Sequence, residues 1–227
     1  MTKDETMTQR VSLYNEIHKG LRSQLLSLLT DCARTDPRHA GAVEGIAVRF
    51  RHLLAILEEH AGHEERWVHP LLVELRPDMA ADLEADHARL DPLMAEVAAA
   101  FVRWEQAGDA DQLRCGQLVH GHLASFVGQY LSHMSREEDE AMPVLQAAMT
   151  DAQLLEVSAQ LRGSIEPPRL AEYIAFMLPA MNVEERSQMF MGLKAEAPPP
   201  VLEGMCALAA DVLDASDWSD VQSRIGL

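Results

Sequence analysis

The amino-acid sequence predicts an all-α protein whose amino-terminal part is a bundle of four helices. Along four stretches, apolar residues recur at alternating steps of three and four, which is the spacing of one face of a packed helix. In two of these faces a His-x-x-x-Glu motif takes the place of apolar residues, at His60–Glu64 and at His133–Glu137. Hydrophobic residues make up 48% of the chain, so the material for a core is ample.

The first two predicted helices carry three inward-facing polar residues. Residues 9–30 have an apolar face in which His18 occupies a core position. A segment with one proline and two glycines follows, and it loosens the helical pattern. The second helix is clearest over residues 53–71, where His60 and Glu64 both fall in the apolar face.

The third and fourth predicted helices carry the other three. Residues 83–101 form the third helix, with His87 in place of a core leucine. An Ala-Gly-Asp sequence then ends that helix. The fourth helix keeps its apolar face over residues 119–148 and contains His133 and Glu137.

Each motif is followed by a proline that should bend its helix. Pro70 and Pro143 stand at the same spacing after the two motif histidines. Because proline has no N–H to donate and its ring crowds the preceding turn, we expect bends about one turn beyond Glu64 and Glu137. These matched bends indicate that the two halves of the bundle are structurally related.

Six polar side chains on four helices are therefore predicted to point into the bundle. They are four imidazoles and two carboxylates: His18, His60, Glu64, His87, His133 and Glu137. Residues i and i+4 of a helix share a face, so each motif can aim both of its side chains at one target. An uncompensated carboxylate in a core is costly, and we therefore expect a cation between the helices. The ligand types suit iron, manganese or zinc and are too rich in nitrogen for calcium or magnesium.

Composition excludes several classes of partner. A formal net charge of -17 argues against binding to nucleic acid or to an anionic membrane face. No apolar run approaches the ~20 residues that span a bilayer, and the polar start of the chain is unlike a signal peptide. Cys32, Cys115 and Cys206 are too far apart for a zinc-finger or iron–sulfur pattern and fit a reducing compartment. We expect a soluble cytoplasmic protein.

The character of the chain changes after residue 149, so we expect a bundle domain over 1–149 and a carboxy-terminal helical extension over 150–227. Prolines divide the extension into short amphipathic segments that are rich in methionine. Such a surface can be a binding groove, but it is more often irregular core packing. We favour helices that fold back on the bundle or pair with another subunit.

The order His18, His60-x-x-x-Glu64, His87, His133-x-x-x-Glu137, with a proline after each motif, resembles the hemerythrin-like, or HHE cation-binding, domain family. The resemblance covers about residues 10–148. It implies an up-down four-helix bundle around a non-haem di-iron centre. In that family the four histidines would be terminal iron ligands, and the two glutamates would bridge two iron ions together with an oxo or hydroxo group.

One position departs from the oxygen-carrying hemerythrins. These have a second histidine one turn after the third-helix one, where this chain has Asp91. With one imidazole fewer, a coordination position is open to water or small molecules, which weakens the case for simple reversible oxygen carriage. Asp91 either orients His87 as a neighbouring carboxylate or only precedes a proline. The cysteine-bearing segment of family members that repair iron centres has no counterpart here.

Four further side chains lie near the six, and two of them, His63 and Tyr14, have more than one interpretation. His63 is a hydrogen-bond donor to a ligand or a swapped ligand, or else a solvent-side histidine, which we favour. Tyr14 shares a face with His18, and its hydroxyl either hydrogen-bonds a ligand or a bound oxygen species or belongs to a core aromatic. Glu65 and Glu138 point about 100 degrees away from the motif glutamates, and a solvated face explains both.

The remaining histidines are assigned no role. His122 falls in the apolar face of the fourth helix, but it lies roughly 16 Å along the axis from His133, so we interpret it as a core histidine. Four others are off the apolar faces or in connections: His39, His52, His69 and His120.

The leading functional hypothesis is a non-haem di-iron protein that meets oxygen, peroxide or nitric oxide in sensing, scavenging or iron handling. The alternative is an enzyme, a di-iron peroxidase or oxidase, in which reduced iron supplies electrons. A third possibility is a structural interaction module that works through its carboxy-terminal helices, as a homodimer or with a protein partner.

Overall fold

The computed structural model describes residues 10–227, and the regular structure in that range is entirely helical, which confirms the predicted all-α class. Residue 9, the expected start of the first helix, lies outside the described residues. The helices of the bundle are α1 (Asn15–Arg34), α2 (Ala40–Trp67), α3 (His69–Leu75), α4 (Pro77–Gln106), α5 (Gln112–Arg136) and α6 (Met142–Ala148).

Four long helices form the bundle. Each packs against two others, α1 with α2 and α5, and α4 with α2 and α5, so the four close into a ring around one core. Leucines of α1 face the aromatic residues of the other helices, and the rings of Phe50 and Phe101 stack with centroids 4.4 Å apart. This apolar core fills the bundle on one side of the polar residues. A second cluster, which contains Leu72, Leu83 and Leu145, closes the other side.

The regular helix is interrupted at both places where a bend was predicted, and the two interruptions differ in form. At the first, α2 ends at Trp67, Val68 turns the chain, and Pro70 lies in the first turn of α3. At the second, the chain passes through a π-helical turn, Glu137–Ala141, and Pro143 lies in the first turn of α6. Proline has no N–H, and in the first turn of a helix none is needed, so Pro70 fits at the start of α3. Before Pro143, the wider π turn accommodates the missing hydrogen bond while the chain stays helical.

One core assignment was wrong. The side chain of His122 keeps 35% of its surface exposed and its Nδ1 lies 3.4 Å from Glu96 Oε2. The neighbouring Leu123 is fully buried and takes the core position instead. The apolar face therefore runs from Val119 through Leu123 to Phe126, which leaves His122 at the edge of the helix.

Five further helices follow the bundle: α7 (Asp151–Gly163), α8 (Pro167–Met177), α9 (Val183–Glu196), α10 (Pro199–Val212) and α11 (Ala215–Ile225). A short 3-10 turn, Leu178–Ala180, joins α8 to α9. The last four helices build their own apolar cluster around Phe190, and α8 folds back on α1. Between residues 10 and 227, the structure contains no helix that is both long and apolar enough to cross a membrane.

Candidate metal centre

The six predicted side chains meet in the middle of the bundle, and all six are buried. They form two groups in which the candidate ligand atoms lie within 4.8 Å of one another. One group is His18, His60 and Glu64, and the other is Glu64, His87, His133 and Glu137. Glu64 belongs to both groups, so the two groups adjoin.

Glu64 divides its two oxygens between the two sides of the centre. Its Oε1 lies 3.1 Å from His60 Nε2 and 3.7 Å from His18 Nε2. Its Oε2 lies 3.5 Å from His87 Nε2. Burial raises the pKa of Glu64, but the imidazoles of His60, His18 and His87 outweigh burial and hold that pKa well below its ordinary value. These imidazoles therefore favour the ionised form of the carboxylate.

Glu137 divides its oxygens in the same way. Its Oε1 lies 3.3 Å from His133 Nε2, and its Oε2 lies 3.5 Å from His18 Nε2. The Nε2 atoms of His87 and His133 are 2.9 Å apart. Two histidine pairs, His18 with His60 and His87 with His133, thus face each other across two carboxylates that reach both pairs.

The donor atoms that face the centre fit a bound cation. His18 Nε2, His60 Nε2 and all four oxygens of Glu64 and Glu137 are shielded from solvent and have no hydrogen-bond partner among the described residues. Leaving a charged acceptor buried and unpartnered is costly, whereas a cation between these atoms would satisfy all of them. Nitrogen and carboxylate oxygen together suit a transition metal ion.

Behind the centre, a carboxylate and an arginine hold His18. The Nδ1 of His18 lies 2.9 Å from Glu138 Oε1, and Arg22 donates to both oxygens of Glu138 at 2.7 and 3.0 Å. The assignment of Glu138 to a solvated face was therefore wrong, because the π turn carries its side chain back against α1. Burial raises the pKa of Glu138, but the bonds from His18 and Arg22 lower it to about 2.

The surroundings of His18 favour a positive charge. Burial lowers the pKa of His18, but Glu138, Glu64 and Glu137 outweigh that effect and raise the pKa to about 9. A negative potential that stabilises an imidazolium also stabilises a metal ion between the same carboxylates.

Asp86 stands near His133 as Glu138 does near His18, and sequence reasoning missed it. Its Nδ1 lies 3.7 Å from Asp86 Oδ2, and Asp86 is buried in ion pairs with Arg136 and Arg89. A signal was present, because Asp86 lies three residues after Leu83 and four before Leu90, so it fits the apolar spacing as well as His87 does. By contrast Glu65, at 61% exposure, is the solvated residue that was expected.

His69 is a second residue that sequence reasoning missed. It is only 8% exposed, and its ring lies nearly parallel to that of His87, at 18° and a centroid distance of 5.4 Å. Burial, followed by the nearby His87, lowers the pKa of His69 below its ordinary value. In the sequence it is a histidine beside a proline, and only the break at Val68 turns it inward.

The side chains with two interpretations are now placed. Tyr14 is buried, its ring centroid lies 5.1 Å from that of His18, and its hydroxyl has no partner among the described residues. Burial, with smaller effects of Glu137 and Glu64, raises the pKa of Tyr14 well above its usual range. Asp91 is exposed and makes no ion pair within residues 10–227. The ring centroid of His63 lies 6.1 Å from that of Tyr173.

Comparisons with known proteins identify the family of the chain. A zinc finger protein of Arabidopsis thaliana described as BRUTUS-like is 24% identical to the chain over 190 residues. That alignment covers 80% of the chain, which spans only 14% of the plant protein. No solved structure gives a significant match. A family model described as the hemerythrin HHE cation binding domain matches residues 10–145. The chain therefore belongs to the hemerythrin HHE cation-binding domain family.

Proposed function

We propose that the chain holds two iron ions, one between His18 and His60 and the other between His87 and His133. Glu64 and Glu137 would bridge them. The observation that carries this proposal is the division of each carboxylate, with one oxygen toward each histidine pair. Family membership supports a cation, and the four imidazoles beside two carboxylates favour iron over calcium or magnesium.

We infer that the di-iron centre binds or reacts with a small molecule, namely oxygen, peroxide or nitric oxide. Its role would be sensing, scavenging or iron handling. The His87–His133 position offers two imidazoles and the carboxylates of Glu64 and Glu137. The His18–His60 position offers two imidazoles and Glu64, with Glu137 Oε2 3.5 Å from His18 Nε2. A metal held by so few protein groups would have room for a small ligand. When bound, iron supplies the redox change and the Lewis acidity. The chain shields the centre from bulk water, holds the six side chains and orients His18 through Glu138, while Asp86 places a negative charge 3.7 Å from His133 Nδ1.

A di-iron peroxidase or oxidase is the second candidate, and Tyr14 favours it. Its buried hydroxyl has no partner among residues 10–227 and stands beside His18. A hydroxyl in that place can donate a hydrogen bond to an oxidant bound at the His18–His60 position. Loss of peroxide turnover with a reductant in Tyr14→Phe, at unchanged iron content, would favour the enzyme over the sensor or carrier.

The decisive experiment measures metal content on protein produced with iron available, together with absorption spectra before and after air is admitted to the reduced sample. We expect about two iron ions per chain and new bands in air. Glu64→Ala should lose most of the iron, whereas the control Glu58→Ala, which changes an exposed carboxylate on the same helix, should keep it. Zinc alone, or no metal and a featureless spectrum in the unaltered protein, would refute the proposal.

A further inference from the structure

His69 places a fifth imidazole beside the centre. It is 8% exposed, and its Nε2 is shielded from solvent without a hydrogen-bond partner among the described residues. Its ring stacks on His87, whose Nε2 faces Glu64 Oε2 at 3.5 Å. His69 is therefore in contact with one of the proposed metal ligands but is absent from both groups of candidate ligand atoms.

The fold puts His69 there through the break between α2 and α3. In an unbroken helix it would lie about 140° around the axis from Glu64, away from the centre. The break at Val68 starts a new helix instead, and α3 packs against α4, which carries His87. The inward position of His69 thus depends on the same bend that Pro70 stabilises.

Packing alone does not call for a histidine at this position. A phenylalanine could stack on His87 equally well and would bury no polar atom. A buried imidazole nitrogen with no partner is unfavourable unless something else hydrogen-bonds it. Asp91, which stands where oxygen-carrying members of the family have a further histidine, is exposed and does not reach the centre. The His87 side therefore has one imidazole fewer on α4 and one more on α3.

We propose that His69 contacts a small molecule bound at the centre. The Nε2–H of His69 donates a hydrogen bond to a small anion or diatomic molecule bound to the metal at the His87–His133 position. This inference rests on the proposed di-iron function. His69 is not itself a metal ligand, and its removal leaves the metal in place.

The test uses the full chain loaded with ferric iron and azide as the probe. His69→Phe keeps the stack on His87 but removes the nitrogen, and His69→Gln keeps a group that can hydrogen-bond. The matched control is His63→Phe, which changes a half-buried histidine that packs on Tyr173 outside the centre. Azide affinity and the position of the azide-to-iron absorption band are measured by titration, and iron content is measured on the same samples.

We expect His69→Phe to weaken azide binding by about tenfold or more and to shift the band, as for loss of one hydrogen bond to a charged group. His69→Gln should recover part of the affinity, and His63→Phe should resemble the unaltered protein. Unchanged azide affinity and band in His69→Phe would overturn the inference. So would loss of one iron ion, because that would make His69 a ligand.

Measurements on the unaltered protein distinguish failure of this inference from failure of the proposed di-iron function. If the unaltered protein holds no iron, the di-iron function has failed and this inference falls with it. If the unaltered protein holds iron and binds azide, only the His69 variants decide. Should His69→Phe fail to fold, His69→Leu makes the same comparison, since it also fills the space without a nitrogen.

Discussion

The two halves of the bundle carry matched histidine pairs but are supported in different ways. In the described residues, every side-chain hydrogen bond and ion pair from 150–227 to the bundle ends on the segment 10–19 or on 56–59. Those segments flank His18 and His60. None of these bonds reaches α4 or α5, which pack closely on each other instead. Matched ligands therefore do not require matched scaffolds.

On α1 the extension attaches on both sides of His18. Glu185 of α9 accepts a hydrogen bond from Asn15 Nδ2 at 3.1 Å and pairs with Lys19. Gly20 lets α8 approach so closely that an added Cβ would lie 2.6 Å from the ring of Phe176. Glycine gives the space that this approach needs, because any larger residue would have to displace the ring of Phe176 or separate the two helices.

On α2 the extension attaches one residue before His60. Arg169 donates to Glu59 Oε2 at 2.8 Å, and the hydroxyl of Tyr173 lies 3.2 Å from the same oxygen. Tyr173 is itself part of the bundle core. The His18–His60 half is thus held from outside by α8 and α9, whereas the other half depends on the α4–α5 contact.

Removal of a bridging carboxylate should have the largest effect, because it acts on both halves at once. We expect Glu137→Ala to reduce iron from about two ions per chain toward none. His18→Ala and His133→Ala should each leave about one, since each removes a ligand of one half. Metal analysis decides this, with Asp139→Ala on the exposed face as the control. If Glu137→Ala kept one ion, Glu137 would serve one half only.

Removal of the carboxylates behind the imidazoles should have the next largest effect and would compare the halves directly. Glu138→Gln and Asp86→Asn should each weaken iron binding by about 10- to 100-fold, as for other partners of metal-bound histidines. We expect the larger loss from Glu138→Gln, because its oxygen lies 2.9 Å from His18 Nδ1, against 3.7 Å for Asp86 and His133. Competition with a chelator measures both, and an equal loss would contradict the ranking.

The sequence predicted what the two halves share and little of what distinguishes them. The duplicated motif and the apolar spacing predicted that the four histidines and two glutamates of the centre would be buried together. This works because residues i and i+4 lie on one face of a helix whatever surrounds it. Glu138 and His69 could not be placed, since a π turn and a helix break change the phase that spacing arguments assume. Contacts of the extension depend on tertiary packing and leave no periodic signal.

Other expectations stay predictions. They include the six ligand assignments, the boundary at residue 149, a cytoplasmic location and a homodimer or protein partner through the carboxy-terminal helices. The assignment of these helices to packing on the bundle agrees with the contact between α8 and α1. Buried ligand positions follow from local geometry, whereas partners and compartments depend on surfaces and signals that the spacing of core residues does not encode.

A matched pair of glycine variants would test the external support by stability. Gly20→Ala should destabilise the chain by about 1–3 kcal/mol, because its Cβ must displace Phe176 or separate α8 from α1. Gly128→Ala, on α5, meets nothing within 4 Å and should stabilise by roughly 0.5–1 kcal/mol through helix propensity. Urea unfolding of both variants gives the comparison. A neutral Gly20→Ala would mean that α8 does not press on α1.

The smallest expected effect is the coupling between Lys19 and Glu185, the ion pair that attaches α9 beside His18. Burial raises the pKa of Glu185, but the hydrogen bonds from Lys19, Asn182 and Asn15 outweigh it and hold the pKa below its ordinary value of 4.5. Because the folded pKa is lowered, the stabilisation is fully present above 4.5 and is lost as pH falls through the lower folded value.

A double-mutant cycle of Lys19→Ala and Glu185→Ala isolates this pair, since effects of acid on the metal centre and on helix capping by Glu185 cancel between the four proteins. At pH 7 the coupling should be about 0.2–1 kcal/mol, as for other partly exposed ion pairs. It should disappear once Glu185 is protonated in the folded protein. A coupling that persisted in acid would mean that the charges of Lys19 and Glu185 are not its source. The attachment of α9 to α1 beside His18 would then depend on packing and not on this ion pair.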